Sequence, residues 1–232
     1  MKQIEVKKLS VSYGNFGVLC DIDFTVEKGE FIVIVGKSGS GKTTFLHALA
    51  DLIPFSGEID IPENKGVVFQ HYAVFPWLTV SENIAFGLDR YSEEKQREVT
   101  SEHLRIAQLE GKDDSYPAEL SGGQVQRVAL ARSLAHSPEL LLMDEPYGSL
   151  DAYTRDQMQE WLLGVWSEHK KTIVFVTHSI EEAIFLADRI LVLSNKHFIE
   201  ELKVPFGRPR KEEIKFTPEF NQLRKNIFES IS

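Results

Sequence analysis

Residues 36–43 read GKSGSGKT: Gly36, four residues, then Gly41, Lys42 and Thr43. This spacing suits phosphate binding. Glycines let the backbone turn tightly and aim its N–H groups at phosphate oxygens, and a helix starting just behind adds partial positive charge. The apolar run FIVIVG leads into the loop and TTFLHAL leaves it, the strand and helix context the pattern requires. Lys42 is expected to reach the β- and γ-phosphates of a nucleotide and Thr43 to ligate Mg2+, with Ser38, Gly39 and Thr44 completing the cradle.

A nucleotide site needs a carboxylate for its metal. LLLMDEP ends a second apolar run in Asp144 and Glu145. Asp144 is expected to hold Mg2+, directly or through water, and Glu145, facing differently, to polarise an attacking water. His178 ends a third run, TIVFVTH. At the C-terminal edge of a parallel sheet, where open α/β folds bind ligands, it could donate to the γ-phosphate or orient the water. Ser179 and Glu182 behind it read as a capping box, which leaves His178 itself unexplained.

A second glycine-rich turn, LSGGQ at 120–124, precedes the helical pattern VQRVALARSL. Ser121 and Gln124 make a capping box for a helix over 124–135. Gly122 and Gly123 are poor choices for a cap alone and would bare the helix N-terminus to an anion.

These residues need a frame. Five short apolar runs, at 31–36, 66–70, 140–145, 172–178 and 189–194, read as strands, and helical patterns follow several of them. The expectation is an α/β fold: a P-loop NTPase core whose mostly parallel sheet is flanked by helices on both sides. Residues 1–30 alternate instead and, with GEIDI at 57–61, predict a small antiparallel sheet. Residues 79–135 interrupt the strands as an inserted helical subdomain, with helix starts at Thr79 and Ser92. The chain is thus read as one domain. Its core spans 1–78 and 136–195, its helical subdomain 79–135, and a charged, irregular tail with a short terminal helix occupies 196–232.

Composition excludes several classes. The 232 residues carry a net charge of -9, which disfavours general nucleic-acid binding. The single cysteine, Cys20, allows no internal disulfide and reads as a small buried residue. The first residues lack the apolar stretch of a signal peptide, and no run approaches the roughly 18 apolar residues of a spanning helix. A soluble, cytoplasmic chain is expected, held at any membrane by something else.

LSGGQ between a P-loop and an LLLMDE strand resembles the signature of the ABC transporter ATPases. Four further marks stand in the same order. Tyr13 is similar to the aromatic that stacks on adenine, Gln70 to the Q-loop glutamine, Ser149-Leu150-Asp151 to the D-loop, and His178 to the switch histidine. Val125 departs from the polar residue many relatives carry there, outside the five signature residues. The resemblance implies two ATPase subunits packed head to tail, a homodimer in the simplest case. Each ATP lies between one P-loop and the partner's signature, so Ser121, Gly122, Gly123 and Gln124 would meet a phosphate held by the other chain, with Asp151 beside them. It adds Gln70 to Thr43 and Asp144 as a Mg2+ ligand, and gives catalytic roles to Glu145, His178 and Gln70.

FPWLTVSENIAFGL, DAYTRDQMQEWLLGVW, FVTHSIEEAIFLADRILVLS and RPRKEEIKFTPEFNQLRKNI are similar to the nitrate/sulfonate/taurine importer group; ATPases for pyrimidine-type thiamine precursors are similar as well, which leaves the substrate open. The implied function is ATP hydrolysis energising uptake of a small solute, at the cytoplasmic face of the inner membrane. The membrane permease would dock in an apolar groove near Gln70–Leu78 that includes Tyr72, Phe75 and Trp77. A solute-binding protein would act indirectly, and the tail is too short for an added regulatory β-domain. The rival readings are a soluble ABC-type ATPase acting on nucleic acid or ribosomes, and a P-loop kinase, which would leave LSGGQ without a role.

Overall fold

The computed structural model describes residues 1–70 and 73–231. Strands β1 (Lys2–Tyr13), β2 (Phe16–Glu27) and β4 (Ser56–Asp60) form an antiparallel sheet in the order β2-β1-β4. A second sheet runs β5-β6-β7-β3-β8-β9, made of β3 (Phe31–Val35), β5 (Lys65–Val68), β6 (Leu140–Asp144), β7 (Thr172–Thr177), β8 (Arg189–Ser194) and β9 (His197–Lys203). All its pairings are parallel except β8 with β9. The fold is α/β with a mixed, mostly parallel sheet and a small antiparallel one.

β3, β6 and β7 are buried along their whole length, because both faces are covered. Side chains alternate between the faces. Phe31, Val33, Val35, Met143 and Phe175 pack with the helices α5 (Ala152–His169), α6 (Ile180–Leu186) and α7 (Pro218–Ile231). Ile32, Ile34, Leu142 and Val174 pack with helix α1 (Lys42–Leu49) and the antiparallel sheet, where Phe24 meets Phe45 edge-on at 5.3 Å. Helices α2 (Val80–Ala85), α3 (Glu93–Ile106) and α4 (Gly122–Ala135) enclose a separate apolar cluster around Ile84, Leu104 and Val128.

Two features differ from the sequence reading. The charged stretch after residue 195 is not irregular. β9 reads HFIEELK, with exposed and half-buried residues alternating, and it pairs antiparallel with β8 as the sheet's edge. Glu201 and Lys203 occupy outward positions, as suits an edge strand, while Glu200 is half-buried on the face of Phe198 and Leu202. The segment then returns to the core, and Phe220 and Ile227 of α7 are buried there. Cys20 is exposed rather than buried. Leu9 pairs with Ile22 but Val11 with Leu19, so Cys20 and Asp21 together face Ser10 alone. This bulge, with Asp21 at φ 43, turns Cys20 out of the apolar alternation.

Candidate functional site

β6, β7 and β3 lie side by side and parallel, so the loops that leave them emerge on one edge of the sheet. Asp144 pairs with Val176, and Val35 with Thr177. This register sets the glycine loop, the two acids and His178 at one level.

The loop from β3 closes onto α1 through Gly41 at φ 103. A Cβ there would also stand 3.0 Å from Leu19 Cδ2, so only glycine fits both the turn and the space. Lys42 is 4% exposed. Its Nζ donates to the carbonyls of Gly36 at 3.0 Å and Lys37 at 3.1 Å, and lies 3.7 Å from Glu145 Oε1. Burial pulls its pKa down, and Glu145 opposes the shift.

The Thr43 hydroxyl donates to Asp144 Oδ1 at 3.0 Å. His47 Nε2 stands 3.8 Å from the other Asp144 oxygen. Burial raises the Asp144 pKa against these contacts. Glu145 follows with φ 40, a left-handed backbone that costs a non-glycine residue about 1–3 kcal/mol. The Glu145 carboxylate stands between Lys42 and His178, with Oε2 2.8 Å from His178 Nδ1. The His178 side chain is 61% exposed.

A cavity of about 380 Å³ opens here, bordered by Ser38, Gly39, Gly41, Lys42, Thr43 and Thr44, and closed by Gln70 and Glu145. Gln70 is exposed and lies two residues beyond β5, not within the strand. Its Nε2 would be 3.7 Å from a methyl group added at Gly148. Tyr13 is exposed at the tip of the β1–β2 hairpin, opposite Phe16, and the same hairpin lends Val18 rather than Tyr13 to the cavity wall.

The LSGGQ turn lies outside this cavity. Ser121 and Gln124 form the expected reciprocal cap, with Ser121 N–H donating to Gln124 Oε1 at 2.9 Å and Gln124 N–H to Ser121 Oγ at 3.4 Å. The helix, however, already starts at Gly122. The two glycines have a local cause that sequence reasoning missed. A Cβ on Gly123 would stand 2.8 Å from Thr154 Cγ2, and one on Gly122 would stand 3.2 Å from Leu150 Cδ2. The start of α4 is pressed onto the start of α5. Asp151 caps α5, its Oδ1 accepting from Thr154 N–H at 3.0 Å, and that bond holds its pKa down.

The Ser179–Glu182 cap forms only by half. Glu182 N–H donates to Ser179 Oγ at 3.3 Å, but the Glu182 carboxylate turns inward and accepts from the Thr177 hydroxyl at 2.6 Å. The residues brought together in the cavity are thus those of the glycine loop, Gln70 and Glu145, with Asp144 and His178 bonded to its rim. Tyr13, Asp151 and residues 121–124 are not among them. Arg155, which reaches Glu182, carries no sequence signal beyond standing four residues after Asp151.

The sequence and the fold that build this site recur in known proteins. The ABC transporter family profile matches residues 19–148. The aliphatic sulfonates import ATP-binding protein SsuB of Bacillus cereus is 43% identical over 239 residues, covering 96% of this chain and 92% of that protein. The taurine import ATP-binding protein TauB of Escherichia coli O157:H7 is 40% identical, covering 98% and 96% respectively. Among solved structures, the dimeric post-hydrolysis state of the ATP-binding cassette MJ0796 bound to ADP and Pi superposes with a TM-score of 0.75 at 31% identity, over 88% of this chain and 100% of that one.

Proposed function

The chain belongs to the ABC transporter family, and from that premise we propose that it is the ATP-hydrolysing subunit of an importer for a small oxyanionic solute of the sulfonate or taurine kind. The observation that carries the reading is the convergence of Thr43–Asp144 at 3.0 Å and Glu145–His178 at 2.8 Å at the end of one sheet, beside the glycine loop. The importer relatives lend no support to an ATPase acting on nucleic acid or ribosomes.

Each residue has a task in this reading. The backbone N–H groups of the glycine loop receive the phosphates, and Lys42 exchanges the Gly36 and Lys37 carbonyls for the β- and γ-phosphates. Thr43 Oγ1 and Asp144 supply two oxygens. That small, hard donor set fits Mg2+, which keeps most of its shell as water and phosphate oxygen. Gln70 would be a third ligand, and a Mg2+ held by these residues would supply charge neutralisation for the phosphates. Glu145 draws the proton from the attacking water, and His178 holds the Glu145 carboxylate in line for it. Tyr13 stacks on adenine from the hairpin tip.

Residues 120–124 do not line the cavity. In a head-to-tail homodimer the partner's Ser121, Gly122, Gly123 and Gln124 would face the γ-phosphate, with Asp151 beside them. For the permease, we assign the apolar surface beyond Gln70. Asn83 fixes this loop, its Nδ2 donating to the carbonyls of Phe75, Leu78 and Thr79 at 2.9–3.1 Å. Trp77, 69% exposed, and Phe86 both pack on Phe75, at 5.5 and 4.5 Å between ring centres. Tyr72, assigned to the same groove, lies outside the described residues. Among the described residues no helix is long and apolar enough to cross a membrane, so the permease would hold the chain at the inner face. A solute-binding protein would deliver the solute to the permease.

Two substitutions test the reading. Glu145→Gln is expected to bind ATP normally while turnover falls by about a hundredfold or more, the share of a positioned base. Lys42→Ala is expected to weaken nucleotide binding itself. Unchanged turnover in Glu145→Gln removes Glu145 from the role of base.

A further inference from the structure

Two carboxylates are buried among the described residues, Asp144 and Glu182. The ATP site uses the first. The second, 5% exposed, has no task in it.

Its contacts run in two directions. One oxygen accepts from Thr177, whose hydroxyl also accepts from Ser179 N–H at 3.0 Å, so His178 is bracketed between two tethered neighbours. The other oxygen lies 3.6 Å from Arg155 Nε. Arg155 Nη2 in turn donates to the Leu150 carbonyl at 2.9 Å. Leu150 and Thr154 are the side chains against which Gly122 and Gly123 pack. A continuous path therefore links the LSGGQ turn to the Glu145–His178 pair within one chain, and its middle is an ion pair between the buried Glu182 and the half-buried Arg155.

We propose that Arg155 and Glu182 are positioning residues: their pair is a strut that fixes the 149–154 turn, and the LSGGQ turn pressed on it, relative to His178 and Glu145. Neither residue touches the cavity. The strut rests on the roles assigned above to Glu145 and His178. Removing Arg155 alone leaves the buried Glu182 charge uncompensated, whereas removing both groups leaves no charge to compensate. That asymmetry separates positioning from mere support.

The test uses the full chain. Arg155→Met alone leaves the buried Glu182 carboxylate without its cation and lowers the urea midpoint, and Glu182→Gln alone, which leaves a half-buried Arg155 still bonded to the Leu150 carbonyl, lowers it less. The double variant Arg155→Met/Glu182→Gln removes both charges and decides the matter. It is expected to unfold near the unaltered chain and to bind a fluorescent ATP analogue within about twofold. Its kcat is expected to fall by about tenfold or more, as small misplacements of reacting groups do. The His178 ring signals, followed by 15N NMR and assigned with His178→Asn, should shift with it. Arg155→Lys should restore part of the rate, because an ammonium can meet Glu182 or the Leu150 carbonyl but not both. A double variant with normal kcat and unmoved His178 signals overturns the strut. Turnover of the unaltered chain and its loss in Glu145→Gln test the underlying site separately, and the ring signals report on the strut independently of turnover.

Discussion

At position 144 the chain buries an acid that its surroundings do not fully compensate. The Thr43 hydroxyl, His47 and Lys42 favour the charge, yet burial dominates and the pKa is raised. The charged form thus costs stability in the protein without nucleotide, and a bound cation would reverse that cost. Asp144→Asn keeps the acceptor for Thr43 and removes the charge. We predict a higher urea midpoint than the unaltered chain without ligand. With Mg2+ and ATP at about a hundred times the dissociation constant, the unaltered chain should gain about 2.7 kcal/mol, and Asp144→Asn should gain little of it. An equal gain in both would remove Asp144 from the metal site. These residues were legible in the sequence because each motif is contiguous and sits at the end of an apolar run. Glu182 was misread as a full cap because the competing partner, Thr177, is a neighbour only once β7 ends and α6 begins.

Among elements, contacts between distant segments decide what the sequence could not. Gly123 read as bare backbone offered to an anion, but α4 approaches α5 so closely there that a methyl group meets Thr154 Cγ2. Gly123→Ala should therefore destabilise the chain by about 1–3 kcal/mol through overpacking, seen as a lower urea midpoint. Adding Thr154→Ser removes the clashing methyl and should recover most of the loss. No recovery would mean that the close approach is not what requires glycine. A second contact closes the far end of α6. Arg210, buried, donates through Nη1 to the carbonyls of Ile184 at 3.1 Å, Phe185 at 3.0 Å and Ala187 at 2.7 Å. Burial pulls its pKa down to about 10, so it remains a cation at neutral pH, compensated by the carbonyl end of a helix. Arg210→Ala should cost about 2–4 kcal/mol, because three buried carbonyls lose their donor. The sequence pattern missed this cap for the reason it missed β9: charged residues read as solvated until the fold shows what they face.

At the scale of the molecule, the parallel strands were legible because buried strands write continuous apolar runs; their order β6-β7-β3 was not, and that adjacency is what gathers the glycine loop, Asp144, Glu145 and His178. What one chain does not gather is also informative. The glycine loop lines the cavity while residues 120–124 stand apart from it. Under the head-to-tail reading, Glu145→Gln with ATP should elute as a dimer in size-exclusion chromatography and revert to monomer without nucleotide. A monomer under both conditions would count against a shared site. The same separation has a genetic consequence. A chain carrying Lys42→Ala still offers an intact LSGGQ turn, so it would be a competent half for its neighbour's site while spoiling its own. Expressed beside the unaltered copy, it would enter most pairs and lower uptake more than deletion of one copy does. Alleles of the glycine loop would behave as dominant, whereas alleles that leave the chain unfolded and unable to pair would behave as recessive.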